Sequence, residues 1–261
     1  MKLIVLGTEE TAQRLRKMLN CIDVEVFELI DTAFIPEAIE RVRSCLKKMK
    51  PDISVFTSKS AVKYIWELVP EAAEVAGKCS LAIGPGTAES LFKRGVKNVL
   101  IPKRNSSKGI VDFLNSFNGS AFIYSSDRVD HSIEELCGER FLLFKVYRLI
   151  PKVDRARDLL SVVSDGDFIL LTSASVLEAL LTIKDDLLRR NVRIAAISRR
   201  IAEKTVNTIG RIDLFYDGDD MSGLSKFLSY RSHLLSPFLP FLNFYGTSSR
   251  HPHIFCALPL L

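Results

Sequence analysis

Hydrophobic and polar positions along the chain alternate between two rhythms. Short apolar runs are each followed by a stretch that repeats at helical spacing. Residues 3–7 form an apolar run closed by Gly7, after which Leu15, Met18 and Leu19 recur as one helix face. Residues 23–30 alternate and predict a strand. Beyond Pro36, the positions Ala38, Ile39, Val42, Cys45, Leu46 and Met49 keep a 3.6-residue period, so a helix runs to about Lys50, where Pro51 stops it. Strands at 52–58 and 79–84 lead into helices at 60–68 and 86–94, the second with Gly95 as its C-cap. A strand at 99–102, a helix from 106 to 114, a strand at 120–125 and a helix at 130–136 follow. Strands alternating with single helices predict an α/β protein whose parallel sheets are covered on both faces.

One stretch breaks the rhythm. Residues 141–151 alternate poorly for a half-buried strand, carry Tyr147 between Val146 and Arg148, and end at Pro151. Val26, Phe27, Glu28, Leu29 and Ile30 match residues 146–150 at an offset of 120. Three further blocks repeat in order: 52–65 with 167–180 at an offset of 115, and 82–89 with 196–203 and 109–114 with 223–228 at 114. This predicts an internal duplication. The middle block ends with strand, helix, strand, and the last block lacks that ending; the N-terminus supplies it. The expected fold is therefore two similar parallel-sheet domains, flavodoxin- or Rossmann-like, joined by a two-strand hinge. Residues 1–31 with 151–230 form one domain, 32–150 the other, and 231–261 an atypical, poorly ordered tail.

Composition narrows the class. At 47% hydrophobic and 26% charged, the 261 residues suit an ordinary globular protein. No apolar run reaches the roughly 18–20 residues a membrane span needs, and the N-terminal run lacks a cleavage site, so a cytoplasmic protein is expected. The five cysteines show no ligand spacing, and reduced thiols are the plain reading. A net charge of +5, dispersed, does not indicate nucleic acid but suits an anionic small molecule. His233, His251 and His253 fall in the tail, without a nearby carboxylate to suggest a metal.

Candidate chemistry lies at strand ends. Thr57 with Ser58, and Thr172 with Ser173, each follow a strand and precede a helix, which is the carboxyl edge where open α/β sheets bind ligands. Such hydroxyls either cap the helix or, with its free N–H groups, receive anionic groups. Gly84 to Thr87 and Ser106 with Ser107 add similar turns. There is no P-loop, G-x-S-x-G or H-E-x-x-H motif, and Gly84-Pro85-Gly86 is no dinucleotide fingerprint. An enzyme built here is expected to need no metal or cofactor and to work by positioning a reactive substrate.

These residues resemble the uroporphyrinogen-III synthase family over about residues 1–230. The resemblance rests on the two Thr-Ser turns, on residues 82–88, on Ser107-Lys108-Gly109, and on Val146-Tyr147-Arg148 with Pro151. It implies a lyase of tetrapyrrole biosynthesis that cyclises linear hydroxymethylbilane, expelling its hydroxyl and inverting the terminal ring through a spiro intermediate. Tyr147 would fall on the family's cleft tyrosine, assisting departure of the hydroxyl; its counterpart Phe27 cannot. Thr57, Ser58, Thr87 and Ser173 match hydroxyl positions of the family's cleft. Lys59, Ser125, Ser126, Arg128, Thr172, Ser198 and Arg199 complete the expected polycarboxylate contacts. Two departures stand out: Ser198, Arg199, Arg200 and Ile201 replace a Gly-Pro-x-Thr turn, and Gly7-Thr8-Glu9 replaces Thr-Arg-Pro. A monomer is expected. The rival reading is a non-catalytic two-domain sensor of an anionic small molecule.

Overall fold

The structure is a computed structural model that describes residues 2–7, 9–18 and 23–216. The expected tail at 231–261, and the 223–228 block matched above, lie outside the described residues. In chain order the elements are β1 (Lys2–Leu6), α1 (Glu9–Met18), β2 (Asp23–Val26), β3 (Ile30–Phe34) and α2 (Pro36–Lys48). Next come β4 (Ile53–Phe56), α3 (Lys59–Leu68), α4 (Pro70–Ala76), β5 (Ser80–Ala82), α5 (Pro85–Phe92), β6 (Val99–Leu100) and α6 (Ser107–Asn115). The chain continues through β7 (Ala121–Ser126), α7 (His131–Leu136), β8 (Phe141–Pro151), α8 (Val153–Val162) and β9 (Phe168–Leu171). A 3-10 turn at Ala174–Val176 then leads to α9 (Leu177–Leu181), α10 (Lys184–Arg189), β10 (Arg193–Ala196), α11 (Arg199–Ile209) and β11 (Leu214–Phe215).

The strands form two sheets, ordered β11-β10-β9-β1-β2 and β3-β8-β7-β4-β5-β6. Apart from β3, neighbours run parallel throughout. Counted from β11 and from β6, the two orders are the same, with β9 taking the place of β4, β1 that of β7 and β2 that of β8. The chain divides into two compact units, one formed up to Asp31 and again from Pro151, the other by Thr32–Ile150.

Each sheet buries both faces, as period-2 strands between helix layers must. In β1, Ile4 and Leu6 face the core that holds Leu159 of α8 and Leu180 of α9, while Leu3 and Val5 face Ala12 and Leu15 of α1. In β4, Phe56 faces Val42 of α2 and Ile65 of α3, while Ile53 and Val55 face Ile110 and Leu114 of α6. Fully burying such a side chain contributes about 1.5–3 kcal/mol, which fixes the register of the strands.

Several boundaries differ from expectation. The strand expected over 23–30 is two strands, because residues 27–29 transfer the chain from one partner to another. Phe27 N–H still donates to the Val5 carbonyl at 2.9 Å, whereas the Leu29 carbonyl already accepts from Lys152 N–H at 2.8 Å, next to β8. Phe27 and Leu29 are buried at the transfer. Helix α4 was not expected; Pro70 at its first position, with Ala72, Val75 and Ala76 buried, is the signal for it. Gly95 lies three residues beyond the end of α5, where its φ of +84° turns the chain out of the helix. Among the described residues no helix is long and apolar enough to cross a membrane.

Candidate active site

Within the Thr32–Ile150 unit, the carboxyl ends of β4, β7 and β8 bring five of the expected residues together. The arrangement starts from a defect in β8. Ser125 stands opposite Lys145 but Ser126 stands opposite Tyr147, so Val146 is an extra residue in the ladder. A bulge of this kind re-aims the side chain after it. Val146 and Tyr147 consequently both enter the core that also holds Phe144, although neighbours in a regular strand point to opposite faces. This is why residues 141–151 alternate poorly. Beyond the end of β7, Asp127 takes over the pairing: its N–H donates to the Tyr147 carbonyl at 2.8 Å and its carboxylate accepts from Leu149 N–H at 3.1 Å.

Re-aimed in this way, Tyr147 is 5% exposed, and its hydroxyl donates to Ser58 Oγ at 2.8 Å. Burial pushes its phenol above the ordinary tyrosine range, with hydrogen bonds to Ser58 and Ser126 partly offsetting this. Ser58 is the N-cap of α3, accepting from Ala61 N–H at 3.0 Å. Thr57 spends its hydroxyl on β7, at 2.9 Å from Ser125 Oγ and 3.2 Å from the Tyr124 carbonyl. Ser125 and Ser126 are buried.

Around this group, Lys59 opens α3 half-buried. Desolvation lowers its ammonium pKa, Glu89 raises it and Lys93 lowers it further. Thr87 is buried in the first turn of α5, whose N-cap Gly84 has no side-chain cap. Arg128 is exposed in the turn after β7. Ser106 caps α6, accepting from Gly109 N–H at 3.3 Å. Gly109 is required there, because a Cβ would stand 1.9 Å from the Arg104 carbonyl oxygen.

Tyr64 on α3 escaped the sequence reading. Its hydroxyl donates to the Thr32 carbonyl at 2.8 Å and lies 2.9 Å from Thr32 Oγ1, and its ring packs 5.8 Å from that of Tyr147. It ties β3 to α3 and walls in Tyr147. Its place on the apolar face of α3 made it look like core alone. Asp127 was missed as well; an acid directly after a strand's last serine was its only signal.

The other unit holds the remaining candidates separately. Thr172 repeats the role of Thr57, donating to the Leu6 carbonyl at 2.7 Å. Gly7 makes room for it, since a Cβ there would meet Thr172 Oγ1 at 2.3 Å. Ser173 caps the 3-10 turn through Ser175 N–H at 3.2 Å. Ser198 caps α11 through Ile201 N–H at 3.4 Å, and Arg199, exposed, lies over the Phe215 ring. Phe27, in the place corresponding to Tyr147, is buried beneath the Arg155 guanidinium. Among the described residues no cluster of three or more His, Cys, Asp or Glu is arranged to hold a metal ion.

Comparison with known proteins adds to this geometry. A family profile described as uroporphyrinogen-III synthase HemD matches residues 9–208. A Methanothermobacter thermautotrophicus protein, provisionally named uroporphyrinogen-III synthase, is 25% identical over 187 residues, which is 63% of this chain and 74% of that protein. A crystal structure of a mutant uroporphyrinogen III synthase from the extreme thermophile Thermus thermophilus shares the fold with a TM-score of 0.53 at 17% identity. The match covers 90% of this chain and 99% of that one. With a profile match that spans most of the sequence, the chain belongs to the uroporphyrinogen-III synthase family.

Proposed function

We propose that this chain is a uroporphyrinogen-III synthase, a cyclising hydro-lyase that converts linear hydroxymethylbilane to the macrocycle with its terminal ring inverted. The observation that carries the reading is the Tyr147 hydroxyl held on Ser58 at the carboxyl edge of a parallel sheet, in a chain of this family. A neutral phenol hydrogen-bonded to a serine hydroxyl at that edge is suited to assist departure of the substrate hydroxyl through it. Loss of that hydroxyl leaves an electrophilic methylene carbon on the first ring. The already substituted α-carbon of the last ring, at the other end of the chain, attacks it to give a spiro intermediate, and breaking that carbon's original bridge inverts the last ring before closure. The protein's part is to hold the chain folded so that inversion outruns direct closure.

Within the Thr32–Ile150 unit, carboxylate side arms of the substrate would meet the N-terminus of α3, capped by Ser58, whose first-turn N–H groups favour anions. Lys59 and Arg128 supply positive charge in that unit, and Thr57, Thr87, Ser125 and Ser126 shape its turns. The same reading takes the fold as a duplicated unit, with residues 1–31 and 151–230 as one domain and 32–150 as the other, crossed by two strands. The matching strand orders support it. It also takes the protein as a cytoplasmic monomer acting on a small polyanion, with no nucleic acid partner.

A turnover experiment separates this reading from that of a sensor. Protein at one-hundredth the amount of freshly generated hydroxymethylbilane should consume it many times over, faster than the protein-free blank. Binding without any acceleration over the blank would favour the sensor.

A further inference from the structure

Tyr147 is poorly placed to reach a substrate itself. It is 5% exposed, and its proton is directed to Ser58 Oγ at 2.8 Å. Ser58 is half-buried at the end of β4. Its oxygen accepts twice, from Tyr147 Oη at 2.8 Å and from Ala61 N–H at 3.0 Å. A serine hydroxyl has two lone pairs and one hydrogen. Both lone pairs are filled from inside the unit, so the hydrogen is the part of the hydroxyl left to donate to a ligand.

The corresponding turn of the other unit shows the difference. Ser173 Oγ also caps its turn, but it is paired with Ser175 Oγ at 3.0 Å, and the place of Tyr147 is taken by Phe27, which has no hydroxyl. Ser198 accepts from Ile201 N–H in an ordinary cap. Of these capping serines, Ser58 is the one backed by a phenol.

We propose that Ser58 is the catalytic residue that donates to the departing hydroxyl, and that Tyr147 is a positioning residue acting through it. The assignment rests on the reading that the chain cyclises hydroxymethylbilane. As the carbon–oxygen bond breaks, its electron pair leaves with oxygen and the pyrrole nitrogen's pair stabilises the carbon. Oxygen takes the Ser58 proton and departs as water, and Ser58 takes the Tyr147 proton. Ring closure later releases a proton from the attacked pyrrole carbon, which restores Tyr147. No oxidant, metal or further reactant is needed.

The test compares wild type, Ser58→Gly, Ser58→Thr, Tyr147→Phe and the Ser58→Gly/Tyr147→Phe double variant. Glycine removes the hydroxyl at a cost to the N-cap of only a few tenths of a kcal/mol, with about 1–3 kcal/mol more for the Tyr147 hydroxyl left without its acceptor, so urea denaturation of each variant accompanies the kinetics. Ser58→Gly is expected to lower kcat about 100-fold, with KM changed less than about threefold. The double variant should be no slower than the slower single variant, as expected for groups acting as one unit. Ser58→Thr should recover most of the rate. The proposal is overturned if Ser58→Gly keeps wild-type kcat while Tyr147→Phe is slow, or if the two losses multiply. A wild-type protein with no turnover would instead sink the functional reading, and this assignment with it.

Discussion

At the scale of single residues, the structure turns on what each buried hydroxyl is bonded to. Tyr64 and Thr32 exchange two hydrogen bonds where β3 passes α3. Tyr64→Phe keeps the ring against Tyr147 and should cost about 1 kcal/mol in urea denaturation, while Tyr64→Ala should cost about 3–5 kcal/mol. Tyr124 is the opposite case. Fully buried between Phe56 and Phe144, it has a hydroxyl without a hydrogen bond of good geometry, as does buried Ser54 on the neighbouring strand. Tyr124→Phe is therefore expected to be neutral or stabilising by about 1 kcal/mol. Burial pushes both the Tyr124 and Tyr147 phenols above the usual tyrosine value. Below about pH 10 the phenols are protonated in folded and unfolded chains alike and add no pH dependence. Above it the unfolded chain ionises first, so stability should fall as pH rises, and Tyr124→Phe should reduce that fall. A urea midpoint in the wild type that is flat across that pH range would contradict this.

At the scale of elements, the two Thr-Ser turns are built alike: threonine ties its strand to the carbonyl of the next, and serine caps the helical turn after it. The α6 turn adds a steric requirement. Gly109→Ala would drive a methyl group into the Arg104 carbonyl, and about 1–3 kcal/mol of stability should be lost. Ser106→Ala, which removes the cap alone, should cost about 1 kcal/mol; equal losses in the two variants would argue against the close approach.

Strand and helix alternation was legible along most of the chain because apolar runs and 3.6-residue repeats report burial directly. The span of β8 was readable from its apolar residues and Pro151. Its bulge was not, since an extra residue in a ladder is a property of two strands together and only the broken alternation hinted at it. The break between β2 and β3 was hidden for the same reason: residues 23–30 are uniformly strand-like, and the change of partner lies in other parts of the chain. Among the site residues, hydroxyls at strand ends could be found from sequence. Their bonding could not, so Thr57 and Thr172, expected as substrate contacts, have hydroxyls committed to backbone carbonyls. Tyr64 looked like core because it is core as well.

At the scale of the whole molecule, two sheets with the same strand order carry different chemistry at corresponding corners. One corner has Tyr147 behind Ser58; in the other, Phe27 takes the place of Tyr147 and Ser173 that of Ser58. The chain shares its fold with a Thermus thermophilus uroporphyrinogen III synthase at 17% identity, so the architecture persists where most side chains have changed. The central claim is that this protein inverts the terminal ring before the macrocycle closes. Its most direct test is the identity of the isomer formed when purified protein meets hydroxymethylbilane, resolved by chromatography after oxidation. The account predicts type III product in excess over the blank, rising with protein concentration; type I alone, at every protein concentration, would contradict it.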